Sequence, residues 1–163
     1  MTKLRTDIIN LLREDARISA ADIAKMLGAT EKEVAAEIAA LEDGGIIRKY
    51  TVVVDDELAG KDDVEALIEV KVSPMYKHGF DSIAEDIYQF DEVKTVYLMS
   101  GAYDLCVIVE GRTLKEVARF ISEKLSVMDK VLSTATHFIL KKYKVNGVFM
   151  HKQDALRRQA VHA

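Results

Sequence analysis

Few residues in this 163-residue chain have the type and spacing for covalent or metal chemistry. The one cysteine, Cys106, sits in the apolar run 105–109 with no nearby base, so it reads as a small core residue and not a nucleophile. His78, His137, His151 and His162 lack metal-ligand spacing, and no Gly-rich phosphate loop follows a strand. The acidic stretch 55–63 lacks the alternating carboxylates of a hard-cation loop and reads as a solvated linker. The chain is therefore not read as an enzyme, and no cofactor or metal is implied. What remains is noncovalent. Lys3, Arg5, Arg17, Lys25, Arg48 and Lys49 are candidates to neutralise DNA phosphates, which supplies most non-specific affinity. Each has the plainer reading of a solvated surface charge.

The elements that would position those cations lie between Arg17 and Val54. Ser19 stands three residues before Asp22, a near-capping box with Asp in place of Glu or Gln. Ile23 and Leu27 follow on one face, and Gly28 ends that short helix. Thr30 and Glu33 form a full capping box and restart a helix with Val34, Ile38 and Leu41 on its buried stripe. Gly44-Gly45 stops it. Two short helices joined by a tight turn match a helix-turn-helix, and Leu4, Ile8, Leu11 and Leu12 mark a preceding third helix. Ile46 to Val54 is rich in β-branched residues and is expected to form a short two-stranded wing.

The charge opposes the shape. Residues 1–60 hold eight Lys/Arg against twelve Asp/Glu. With Val34 pointing inward, the outward face of the second helix carries Lys32, Ala36, Ala39, Ala40 and Asp43. Alanines permit close approach to thymine methyls, yet no bidentate base reader is present.

The length suits two small domains. No apolar run approaches the ~18 residues of a membrane span. The N-terminus lacks a secretory pattern, and a single cysteine fits a reducing cytoplasm, the expected location.

The expected boundary is a charged linker over residues 55–64, between a DNA-binding domain at 1–54 and a second domain at 65–147. There, Ala66–Val72, Val93–Ser100, 104–109 and 131–143 are expected strands. One helix carries Phe80, Ile83, Ala84 and Ile87. Another opens at a Thr113/Glu116 capping box and buries Leu114, Val117, Ile121 and Leu125. The order is βαββαβ, so the fold class is α+β: a winged helix-turn-helix followed by a ferredoxin-like domain. Val96, Leu98, Val107, Val109, Phe138 and Leu140 alternate with Tyr97, Met99, Cys106, Ile108 and Ile139, also mostly apolar. Strands apolar on both sides imply a cover for the open sheet face, and a homodimer through face-to-face sheets is expected. Residues 148–163 read as a basic tail, with Lys152, Arg157 and Arg158 against Asp154.

From about residue 4 to residue 147 the chain resembles the leucine-responsive/asparagine-regulator (Lrp/AsnC) transcription factors. The resemblance rests on Asp7-Ile8-Ile9, residues 15–19 (Asp-Ala-Arg-Ile-Ser), Leu27-Gly28, Gly45-Ile46-Ile47, residues 100–105 (Ser-Gly-Ala-Tyr-Asp-Leu) and residues 133–136 (Ser-Thr-Ala-Thr). The Gly-x-Tyr-Asp turn between two apolar strands, set behind a helix-turn-helix, is its more specific part. The resemblance implies dimers that assemble into rings, often octamers, and a small-molecule effector, usually an amino acid. It implies an effector site at Met99, Ser100, Gly101, Tyr103 and Asp104, with Thr134 and Thr136 nearby. Asp104 would pair with the ammonium, and Gly101 would let main-chain N–H groups approach the carboxylate. Gly101 and Asp104 equally suit a plain turn, and threonines suit strands. DNA contacts would fall to Arg17, Lys25, Thr30, Lys32, Ala36, Arg48 and Lys49.

The family commonly places arginines where this chain has Ala36, Glu37 and Ala40. Two functions follow. One is a DNA-binding regulator of amino-acid metabolism that responds to an amino acid. The other is a ligand-sensing oligomer of the same fold, with weak or lost specific DNA binding, that acts through protein contacts.

Overall fold

A computed structural model describes residues 2–73 and 79–150, and the chain divides into two compact units that meet between Val53 and Val54. The expected tail features at 151–163, with His78, lie outside the described residues.

The first unit is tri-helical: α1 (Lys3–Glu14), α2 (Ala20–Leu27) and α3 (Glu31–Asp43). Each helix starts on a hydroxyl that takes an otherwise unpaired N–H, Thr2 for Arg5, Ser19 for Asp22 and Thr30 for Glu33. At Thr30 the box is reciprocal, because the Glu33 carboxylate accepts the Thr30 N–H at 2.9 Å. At Ser19 it is not; the Asp22 carboxylate takes the Ser19 hydroxyl and the Lys25 ammonium instead. Gly28 closes α2 at φ 65°, a conformation that costs a side chain but not glycine. Ile8, Ile23, Ala24, Val34 and Leu41 make the buried core, and Ile38 is half-buried against it. Burying each large side chain there contributes about 1.5–3 kcal/mol.

The expected wing strand is not formed. Residues 46–63 contain no strand, and Val52 and Val54 stand 74% and 49% exposed. β-branched residues favour an extended backbone, but a ladder needs a second strand, and none runs beside this segment among the described residues. The helix-turn-helix itself is as expected.

The second unit holds β1 (Val64–Val72), α4 (Asp81–Tyr88), β2 (Val93–Leu98), β3 (Leu105–Gly111), α5 (Leu114–Phe120) and β4 (Val131–Phe138). The strands form one antiparallel sheet in the order β2-β3-β1-β4. Ala66, Ile68, Val70, Val107 and Val109 on one sheet face join Ile83, Ile87, Val117 and Phe120 from the two helices in a single core. This is the expected βαββαβ arrangement.

Four details differ from expectation. Leu114 is 57% exposed, not buried. After Phe120 the helix widens into a π-helical turn, Ile121–Leu125, with Ser126 N–H donating to the Ile121 carbonyl. One extra residue per turn rotates the face, so Val117, Phe120 and Leu125 meet the core and Ile121 only half does. Thr113 caps α5 by accepting from Glu116 N–H, but the Glu116 carboxylate reaches Arg112 N–H and not Thr113. β4 stops at Phe138 rather than at Tyr143. Its partner β1 begins at Val64, so after the bond from Ile139 N–H to the Glu65 carbonyl no rung remains.

The two sheet faces also differ. Val96, Val107, Val109 and Phe138 take the register of the helix-covered side. The open face carries Leu67, Tyr97, Cys106 and Ile108, then turns polar through Glu69, Lys71, Ser133 and His137. His137 Nε2 stands 3.3 Å from a Glu69 carboxylate oxygen. Finally, β5 (Lys144–Val145) and β6 (Val148–Phe149) form a hairpin across Asn146 and Gly147, both at positive φ, and Met150 is buried. Folded structure thus runs three residues beyond the expected domain end at 147.

Candidate DNA-recognition face and effector turn

Of the candidate DNA contacts on the first unit, Lys3, Arg17, Lys25, Thr30, Lys32, Ala36, Arg48 and Lys49 are exposed and Arg5 is half-buried. Several are already engaged. Lys25 Nζ donates to Asp22 at 3.0 Å, and the Thr30 hydroxyl and N–H both serve the α3 cap. The Ser19 and Lys25 bonds hold the Asp22 carboxyl below its usual range. The Thr30 hydroxyl and N–H do the same for Glu33. A helix N-terminus attracts anions, but Glu31 and Glu33 already occupy that positive end in α3. Further along α3, the Glu37 carboxylate pairs with the Arg5 guanidinium of α1. The outward face therefore presents exposed Ala36, Ala39 and Ala40 with Lys32 at its start and Asp43 at its end.

In the second unit, residues 99–104 form the β2–β3 connection. Ser100 and Gly101 are exposed, Met99 is 39% exposed, and Tyr103 and Asp104 are half-buried. The turn is closed by Met99 N–H donating to the Asp104 carbonyl at 2.7 Å. The Asp104 carboxylate accepts Val72 N–H at 2.9 Å. Burial first, then Cys106 and Glu69, push the Tyr103 hydroxyl above its usual range. Cys106 and Glu69 share the open sheet face. Thr134 and Thr136 pair with Val70 and Ile68 in register, which puts them on the helix-covered face. The Thr134 hydroxyl lies 3.2 Å from that of Ser126. Within one chain, then, the turn and Thr134 share one end of the sheet, because both flank Val70, and the threonines lie on its helix-covered face.

A cavity of about 540 Å³ lies at the opposite end of β3 from that turn, floored by Val109, Val117 and Phe120. Its cations Arg112, Arg119 and Lys124 are each tied to a carboxylate, Glu116, Glu123 and Glu92. Cys106 is buried, and burial followed by the Glu69 charge pushes its thiol up, away from the reactive thiolate. No cluster of three or more metal-type ligands occurs among the described residues. Sequence reasoning missed the β5–β6 hairpin, although Asn146-Gly147 is a strong short-range turn signal.

Residues 65–149 match the family model described as the Lrp/AsnC ligand binding domain, and residues 1–48 match that described as winged helix-turn-helix DNA-binding. The chain is 45% identical to the HTH-type transcriptional regulator YugG of Bacillus subtilis over 162 residues, covering 99% of this chain and 98% of the relative. It is 30% identical to the HTH-type transcriptional regulator LrpA of Pyrococcus horikoshii over 137 residues, 84% and 94% of the two chains. Among solved structures, AsnC of Escherichia coli superposes with a TM-score of 0.68 at 22% identity, over 89% of this chain and 95% of that one. A transcriptional regulator of Neisseria meningitidis, solved as an L-Met complex, gives 0.71 at 19% identity over 89% and 93%.

Proposed function

The chain belongs to the Lrp/AsnC family of DNA-binding transcriptional regulators, with a ligand-binding domain, and on that premise we propose that its effector is an amino acid and its targets are genes of amino-acid metabolism. The observation that carries this reading is the open β2–β3 turn. Ser100 and Gly101 leave main-chain N–H groups accessible to a carboxylate, and Asp104 supplies the turn's only carboxylate for an ammonium. The Neisseria regulator, of the same fold, was solved with L-Met, which is an amino acid of this class. Met99 and Tyr103 border the turn and would meet the effector's side chain. Thr134 and Thr136 sit on the helix-covered face of β4, and Thr134 lies at the turn's end of the sheet.

A second copy is the cover we propose for the open face at Leu67, Tyr97, Cys106 and Ile108. Such dimers, assembled further into rings such as octamers, would set the spacing of the DNA-binding units. Effector bound between them changes operator affinity by favouring one spacing. A free thiol at Cys106 and a DNA target both suit the cytoplasm.

On DNA, α3 enters the major groove with its alanine face toward the bases, and Arg17, Lys25, Lys32, Arg48 and Lys49 supply phosphate contacts. With so few unpaired cations, affinity is modest and salt-sensitive. An electrophoretic shift on the protein's own promoter, at low and moderate salt with and without mixed amino acids, tests this. Lys32→Ala should lower the slope of log affinity against log salt by about 1. The alanine face and the Arg5–Glu37 pair favour a second reading, a ligand-sensing oligomer that acts through protein contacts. No shift at any salt, with or without amino acids, selects it.

A further inference from the structure

Asp104 makes more bonds than a ligand contact needs. Its N–H donates to the Val70 carbonyl at 3.1 Å, its carbonyl accepts Met99 N–H at 2.7 Å, and its carboxylate accepts Val72 N–H at 2.9 Å. One residue thus joins the end of β1, the exit of β2 and the entry of β3.

The carboxylate bond has a topological cause. β3 begins at Leu105, opposite Val70, which is the last β1–β3 rung. Val72 lies two residues farther, so its N–H points to the β3 side where β3 has no residue left to meet it. On the other side, the β1–β4 register shifts between Lys71 and Val72, which weakens the ladder at the same place. Val72 is 4% exposed, and an unmet N–H there would be buried without water. An acceptor on a short side chain at position 104 is what the geometry requires.

We infer that Asp104 is a positioning residue: its carboxylate stands in for the missing strand partner of Val72 and thereby holds the effector turn onto the end of β1. The consequence is a division of labour inside one side chain. The acceptor oxygen fixes the turn, and the negative charge is what an ammonium would read. The first part stands independently of any ligand; only the second rests on the amino-acid reading of the turn.

Amide hydrogen exchange on the full-length protein separates them, with Asp104→Ala and Asp104→Asn as the variants. The Asn carbonyl can still accept from Val72 and the Ala side chain cannot. Asp104→Ala should speed Val72 exchange by about tenfold or more, while Asp104→Asn stays within about threefold of the parent. Val72 exchange unchanged in Asp104→Ala, or raised equally in both variants, overturns the inference. Calorimetry with an equimolar mixture of L-amino acids then reads the charge. Lost heat in Asp104→Asn, with Val72 still protected, supports both roles. Retained heat with Val72 protected upholds the positioning role and removes Asp104 from the ammonium contact proposed above.

Discussion

The two units solve the same problem with different ranges of interaction. In the DNA-binding unit most polar bonds close within four residues: Thr2 to Arg5, Ser19 to Asp22, Thr30 to Glu33. Among the described residues that unit has one long bond, Arg5 to Glu37 across 32 residues, whereas the effector unit, besides short caps such as Thr113 to Glu116, has several. Asp104 holds Val72 and Lys124 holds Glu92, each across 32 residues, and Lys142 holds Asp56 across 86. Among the described residues the two core clusters hold five and twelve buried residues. A local fold tolerates change on its surface, since each cap is written in its own few residues. A sheet fold spreads the result of one change across several strands.

The largest test of that contrast is in the cores. Ile23→Ala and Ile68→Ala each remove a fully buried side chain and should each cost about 2–5 kcal/mol. If the units are energetically separate, Ile23→Ala lowers only the first unit's calorimetric transition and Ile68→Ala only the second. A single transition displaced by both variants would show that they melt as one.

Next in size, Thr30→Ala removes the reciprocal cap of α3 and should cost about 1 kcal/mol, within the usual 0.5–2. Chemical denaturation followed by helix circular dichroism reads it. Loss of effector binding in that variant would contradict the separation of the units.

The smallest effect is a pH signature with opposite signs. The Asp22 and Glu33 carboxyls are held below their usual 3.8 and 4.5, by the Ser19 bond and the Thr30 bond first. Their stabilisation is present above those usual values and is lost as pH falls through the lower folded ones. Lys142 is held above its usual 10.5, chiefly by its bond to Glu65. Its contribution is present below 10.5 and is lost as pH rises through the folded value. Acid should therefore loosen the caps of α2 and α3, while alkali releases the segment after β4. Amide exchange at pH 3 and pH 11 should show the two in different units.

That contrast of range also explains what the sequence reveals. The Thr30/Glu33 box, Gly28 and the Val34/Leu41 stripe are readable because cause and effect lie within one or two turns. The strands of the second unit are readable from their apolar runs. The wing is not, because extended backbone at Ile46–Val54 is a local preference while a ladder needs a partner strand. The end of β4 depends on where β1 begins, so the apolar run to Tyr143 misleads. Ile121 misleads because a helical period cannot show the extra residue of the π-helical turn. At the proposed effector turn, residues 99–104 are legible as a connection between two strands. The bond from Val72 to Asp104 is not, because only the sheet brings them together. Nor does sequence spacing show that Thr134 and Thr136 lie on the helix-covered face.

The Arg5–Glu37 pair has a consequence for how such a protein diversifies. On the DNA-binding reading proposed above, Glu37 would subtract twice from the recognition surface, once by its own charge and once by occupying an arginine of α1. A single change, Glu37→Gln, reverses both without touching the buried stripe of α3. On that reading selection would have a one-step dial for operator grip in a helix whose outward face is mostly alanine. A stronger shift of the same DNA fragment at unchanged salt would be its mark.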